Sequence, residues 1–130
     1  MIDVGRKKMG QQYKFEKLEV WQLAGELFDL VYEIDKSLPK SEQFNLANQI
    51  RRASTSISLN IAEGSTTASN AEFTRFLKIA IRSYVEVYGC YLLMVRRQYI
   101  SRENSICTKF EETGAKLFAK LQALVKSLNG

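Results

Sequence analysis

Proline occurs once in this chain of 130 residues, at position 39, and on both sides of it apolar residues recur at steps of three and four. That combination restricts the fold strongly. A period near 3.6 gathers the apolar side chains onto one stripe of a helix. One proline and seven glycines also supply too few turn residues for a many-stranded β protein. Helices are the expected elements.

The spacing predicts a first helix from Leu18 to Ser37, with Trp21, Ala24, Leu27, Phe28, Val31, Ile34 and Leu38 on its stripe and Leu23 and Leu30 widening it. Leu38-Pro39-Lys40 ends it, because proline lacks a donor and restricts the residue before it. A second helix is expected from Glu42 to Glu63, with Ser41 as N-cap and Leu46, Ile50, Ala53, Ile57 and Ile61 facing inward. Gly64 stands where a left-handed residue would stop it. Ser69-Asn70-Ala71-Glu72 has the capping-box pattern and opens a third helix, expected to be the longest, that reaches Gln98. Its apolar residues cover more than half its girth, as expected of a helix central in a bundle or buried on a partner. A fourth helix is expected after Ser101, its candidate N-cap, and ends near Leu128. Four amphipathic helices with short connections imply an all-α, antiparallel, up-down-up-down four-helix bundle.

The length suits one domain, and 45% apolar with 25% charged residues is a globular balance. The bundle is expected over residues 15–130. Residues 1–14, with Arg6, Lys7, Lys8 and Lys14, read as a flexible basic arm. No apolar run is long enough to span a membrane, and the N-terminus has no secretory apolar core. Cys90 and Cys107 form no CxxC motif and read as buried free thiols of a cytoplasmic protein.

The chain contains no histidine. The usual general base at neutral pH and the commonest metal ligand are therefore missing. Ser-His and Cys-His nucleophile pairs and Glu-x-x-His di-metal sites are excluded. No glycine-rich phosphate loop is present. The expectation is a protein that is not an enzyme, with no cofactor and no metal.

The net charge of +5 is unevenly placed. Residues 18–38 hold Lys36 against Glu19, Glu26, Asp29, Glu33 and Asp35, a net −4, while residues 65–99 carry a net +3. Within the latter, Arg75, Lys78 and Arg82 step by three and four and share one ridge, which Arg96 and Arg97 continue. Such a ridge is either a solvated face or a track for phosphates, since cations on nucleic acid release counterions. An acidic helix and a basic one also permit head-to-tail contact between copies.

The stretch QIRRASTSISLNIAEG, residues 49–64, carries a second stripe beside its isoleucines. Gln49, Arg52, Ser56, Asn60 and Glu63 follow one another at steps of three and four. Ser54 and Ser58 read as small spacers near the apolar face. Glu63 lies in the last turn, where the helix dipole disfavours a carboxylate, so a cationic partner is expected, with Arg75 a candidate.

Several of these segments, in order, resemble the 23S rRNA-intervening-sequence protein family. They are Tyr13-Lys14-Phe15-Glu16-Lys17-Leu18-Glu19-Val20-Trp21, Leu38-Pro39-Lys40-Ser41-Glu42, Gln49-Ile50-Arg51-Arg52-Ala53, Ser56-Ile57 and Asn60-Ile61-Ala62-Glu63-Gly64. Phe73-Thr74-Arg75-Phe76-Leu77-Lys78-Ile79-Ala80, with Ser83 and Glu86, continues the likeness, which spans about residues 13 to 125. The resemblance implies a four-helix bundle assembling as a ring-like homopentamer, with no enzymatic activity attached to the family. A relative that serves diversity-generating retroelements is a basic pentameric barrel that binds nucleic acid and a reverse transcriptase. Ser58 stands where many relatives have proline, which implies a less kinked second helix, and Arg82 stands where glycine is common, which adds charge to the ridge.

The leading expectation is thus a non-catalytic, oligomeric, nucleic-acid-associated protein, with RNA favoured over DNA. Arg75, Lys78 and Arg82 would carry phosphates, and Arg51 and Arg52 would join them or lock the assembly. The alternative is an adaptor that assembles with itself and a protein partner without touching nucleic acid. The likeness favours a fixed structural or interface role for Gln49, Arg52, Ser56, Asn60 and Glu63.

Overall fold

The computed structural model describes residues 13–130, and most of the expected basic arm lies outside them. A 3-10 turn over Lys14–Lys17 brings Phe15 edge-on to Trp21, ring centroids 4.7 Å apart. Four α-helices follow: α1 Glu19–Asp35, α2 Asn48–Ser65, α3 Asn70–Arg96 and α4 Ser105–Asn129. No strand occurs among the described residues, and no helix there is long and apolar enough to cross a membrane.

In α1 the buried stripe is Val20, Leu23, Ala24, Leu27, Leu30, Val31 and Ile34. It is rotated from the expected one. Leu23 and Leu30, expected only to widen the stripe, are core, while Trp21 and Phe28 are half-buried at its edge. Rings that large can reach the core from a flanking position.

The link from α1 to α2 departs from expectation. Pro39 leads into a 3-10 turn, Lys40–Glu42, and a π turn, Gln43–Ala47, before α2 begins. Ser41 caps nothing. Instead Tyr99 donates a hydrogen bond to Glu42 at 2.8 Å and ties the turn to the segment after α3. The π turn buries Leu46 and Ala47 and leaves Phe44 92% exposed. Beyond it, α2 runs unbroken through Ser58.

Gly64 does not terminate α2 in a left-handed conformation. It lies inside the helix, buried, and no described glycine has positive φ. Its reason is close approach: a Cβ there would fall 2.7 Å from Phe76 Cβ and 2.9 Å from Phe73 Cδ1. Hydroxyls finish the helix instead. Ser65, Thr66 and Thr67 donate to the carbonyls of Ala62, Glu63 and Gly64 at 2.7, 2.8 and 2.7 Å. The Thr66 and Thr67 amides also reach the Glu63 and Gly64 carbonyls, each at 3.2 Å, so the hydroxyls reinforce a tightened last turn.

Ser69 caps α3 as expected, its Oγ accepting from the Glu72 amide at 3.1 Å. With 27 residues α3 is the longest helix. The left-handed residue among those described ends it: Gln98 has φ 63°, its amide donates to Val95 O at 2.9 Å and the Tyr99 amide to Met94 O at 3.0 Å. This is a Schellman closure with glutamine where glycine is usual. The fourth helix begins later than expected. Its cap is Asn104, which accepts from the Ile106 amide at 2.8 Å, while Ser101 accepts from Glu103 within the preceding turn.

Each helix packs on its sequence neighbours and α1 also on α4, with α2 and α3 in the most extensive contact. Leu27, Ile57, Ile61, Leu77, Val87, Met94, Phe110, Leu117 and Leu121 are all shut off from solvent at the centre. Tyr91 packs on Phe110 with the rings tilted by 41° and their centroids 4.6 Å apart. Such a pair contributes about 0.5–1.5 kcal/mol beyond the area it buries.

Candidate nucleic-acid interface

The helical rise fixes which α3 residues face outward. Arg75, Lys78 and Arg82 are all exposed on α3, within about two turns of helix. They differ in freedom. Arg75 pairs with Glu72 at 3.1 Å and lies over the Phe76 ring, 4.7 Å from its centroid. The expected Glu63–Arg75 pair is therefore not formed, because a carboxylate one turn away on the same helix reaches Arg75 first. Lys78 and Arg82 have no ionic partner among the described residues.

The twin arginines of α2 separate in role. Arg52 is exposed. Arg51 turns inward and donates to Asp35 Oδ2 at 2.9 Å, with its guanidinium 5.9 Å from the Tyr32 ring. It locks α1 to α2 and is not available as a phosphate ligand while that pair holds.

Asp35 has a side chain only 8% exposed, and its Oδ1 has no hydrogen-bond partner. Burial outweighs the Arg51 hydrogen bond and charge and raises its pKa from 3.8 to about 6. The folded chain therefore holds this proton more tightly than the unfolded chain. The resulting stabilisation is complete below pH 3.8 and is lost as pH rises through about 6. The melting temperature of the native protein minus that of Asp35→Asn should accordingly fall across this window. A difference that stays flat or rises would mean that Arg51 keeps Asp35 ionised throughout.

The polar stripe of α2 divides in two. Gln49 donates to Glu86 at 2.6 Å, and Ser56 and Ser83 share a hydrogen bond of 2.9 Å. Asn60 donates back to Ser56 O at 2.8 Å and Ser56 Oγ at 3.1 Å. Gln49 and Ser56 thus form a seam against α3, and Asn60 holds Ser56 in place from within α2. Arg52 and Glu63 take no part in it. They stay exposed and line a shallow depression of about 450 Å³ with Arg51, Thr55, Leu59 and the outer sides of Ser56 and Asn60. Among the spacers, Ser54 is fully buried and Ser58 half-buried.

One polar cluster escaped the sequence reading. Tyr91 donates to Glu111, and Arg102 holds the same carboxylate with two bonds of 2.8 and 3.1 Å. Arg102 also donates to Tyr88 Oη at 3.2 Å. The Arg102 guanidinium, then Tyr91, keeps the Glu111 carboxyl below its usual range, and burial pushes the Tyr91 phenol up. The cluster ties α3, α4 and their connection together. Arg102 lies in that connection, where helical periodicity carries no signal.

Cys90 and Cys107 are buried free thiols, and burial raises the pKa of Cys90 to about 11. Neither is therefore activated as a nucleophile at neutral pH. No group of three cysteine, aspartate or glutamate side chains among the described residues could hold a metal ion.

No curated protein matches the chain. Among solved structures it is similar to a protein of unknown function from the S23 ribosomal protein family of Bacteroides thetaiotaomicron VPI-5482. The two are 27% identical, the match covers 82% of this chain and 98% of the other, and the TM-score is 0.73. Residues 16–122, which contain α1, α2, α3 and the polar seam, match the 23S rRNA-intervening sequence protein family. The chain belongs to that family.

Proposed function

We propose that this protein is a non-catalytic RNA-binding protein that works as an oligomer of four-helix bundles, with α3 meeting the phosphates. The observation that carries the reading is the exposed pair Lys78 and Arg82, without ionic partners among the described residues, beside Arg75. The opposite sign of α1 supports it. Glu19–Asp35 contains five carboxylates and no cation; Glu19, Glu33 and Asp35 are paired with Lys120, Lys36 and Arg51, and Glu26 and Asp29 are left to repel a polyanion from that side. The reference to 23S rRNA in the family's name favours RNA as the polymer. We infer further that the helices alternate in direction. The α2–α3 contacts support this by running Gln49 to Glu86, Ser56 to Ser83 and Gly64 to Phe73. The buried thiols suit a reducing cytoplasm.

Titration with a structured RNA tests the reading. Three phosphates contacted by Arg75, Lys78 and Arg82 should make affinity fall about 40-fold between about 50 and 200 mM salt, and more steeply if several copies engage one RNA. No binding at the lower salt would end the proposal.

A protein-binding adaptor remains the second reading, favoured by Val85, Leu92 and Leu93, which are 57%, 40% and 51% exposed on α3. Apolar side chains in such a row suit a protein surface better than a phosphate backbone.

A further inference from the structure

Phe44 is the most exposed large apolar side chain among the described residues. It stands on the π turn between α1 and α2, whose next residues, Leu46 and Ala47, are buried. The turn is thus anchored while the ring points into solvent. Single π turns are frequent at functional sites. A phenylalanine held out in this way buries almost none of its surface within its own bundle.

The same two helices carry an apolar groove of about 620 Å³. Trp21, Gly25, Phe28 and Leu59 line it, with Glu26 and Asp29 at its edge. A Cβ on Gly25 would meet nothing within 4 Å, so the groove is open where the helix lacks a side chain. Leu59 is 50% exposed there. Phe44 cannot fill the groove of its own chain. The helical path from Asn48 to Leu59 alone is about 16 Å, beyond the reach of a phenylalanine ring.

Charge selects the occupant. Glu26 and Asp29 have no ionic partner among the described residues. The end of the bundle that bears Phe44 is cationic. Lys40 is exposed beside it, and Arg97 lies 5.9 Å from the ring of Tyr99, which bonds to Glu42. Of the acidic residues at that end, Glu33 and Asp35 are paired with Lys36 and Arg51 and Glu42 is held by Tyr99 and Asn45, which leaves Glu103 against Lys40, Arg96 and Arg97. An aromatic knob with a cationic surround therefore faces an aromatic groove with an anionic edge.

We propose that this groove receives Phe44 of a second copy of the chain, with Lys40 and Arg97 of that copy set against Glu26 and Asp29. The inference rests on the reading of the protein as an oligomer and names its contact. Knob and groove are different surfaces, so the contact either closes as a reciprocal pair or propagates from copy to copy.

Light scattering on the full chain and two variants tests it. Phe44→Ala removes the knob and keeps the groove, while Gly25→Trp fills the groove and keeps the knob. The native protein should exceed the 14.9 kDa of one chain, and each variant alone should fall to that mass with its helical melting retained. Mixing the two variants should restore one intact contact and give a dimer containing one of each. A native oligomer unchanged by both variants would overturn this contact alone. A monomeric native protein would overturn the oligomer reading and the contact with it. Phe44→Ala that keeps its mass but loses RNA affinity would also overturn the contact and assign the ring to base stacking.

Discussion

Alanine or asparagine at Gly64 should destabilise the domain by about 1–3 kcal/mol, the usual range for overpacking. For a domain of this size that is a fall of about 4–12 °C in melting temperature. The comparison of the two replacements separates two roles for this glycine. At a left-handed helix end, asparagine is the best tolerated substitute. At a close contact, asparagine is as bad as alanine or worse, because any Cβ meets Phe76 Cβ at 2.7 Å. Phe76 Cβ cannot swing aside like the tip of a long side chain, so backbone must move. The gain of about 1 kcal/mol in helix propensity from glycine to alanine offsets only part of this. Gln98→Gly is the converse test. Gln98 occupies the left-handed region at φ 63°, and glycine there should stabilise by about 1 kcal/mol. Thermal melts of the three variants check both statements. Asparagine at position 64 with native stability would restore the helix-end role.

Gly64 also shows what a sequence can and cannot display. Periodicity is local, and it located all four helices, because a period of 3.6 is imposed by the backbone itself. Which residue ends a helix depends on what packs beside the end. Gly64 followed by a polar run looks like a stop, yet Phe73 and Phe76 of the next helix require its small size and the hydroxyls of Ser65, Thr66 and Thr67 close the helix. The candidate site divides along the same line. Arg75, Lys78 and Arg82 are near one another by helical spacing alone. The pairing of Arg51 with Asp35 joins residues sixteen apart on different helices, and no spacing announces it. Nor does spacing reveal the Arg102 clamp, whose arginine sits in a connection. The α2 stripe was legible as a stripe. Its division into a seam of Gln49 and Ser56, with Asn60 bonded to Ser56, and the exposed Arg52 and Glu63 depended on where Ser83 and Glu86 of α3 came to lie.

That division directs the choice of variants for the RNA reading. Lys78→Glu combined with Arg82→Glu should weaken RNA binding at low salt by about 100-fold or more, since a hydrogen bond to a charged group contributes about 1.5–3 kcal/mol and two are lost. The logarithmic salt dependence should become shallower by about two, one for each phosphate contact removed. Neither side chain is in an ion pair among the described residues, and both are exposed, so the melting temperature should hold. Arg75→Glu should have a smaller effect, because Glu72 already offsets part of its charge. Arg51 is the wrong residue to reverse. Removing it strands Asp35, buried with one oxygen already unpartnered, and the loss of stability would mask any change in binding. Filter binding or fluorescence anisotropy, with molar mass measured on the same samples, reads the outcome. Lost RNA affinity at unchanged mass fits phosphate contact by α3. Lost assembly would instead make the basic ridge a protein interface and favour the adaptor, because reversing two exposed charges can dissolve an oligomer only if they face another copy.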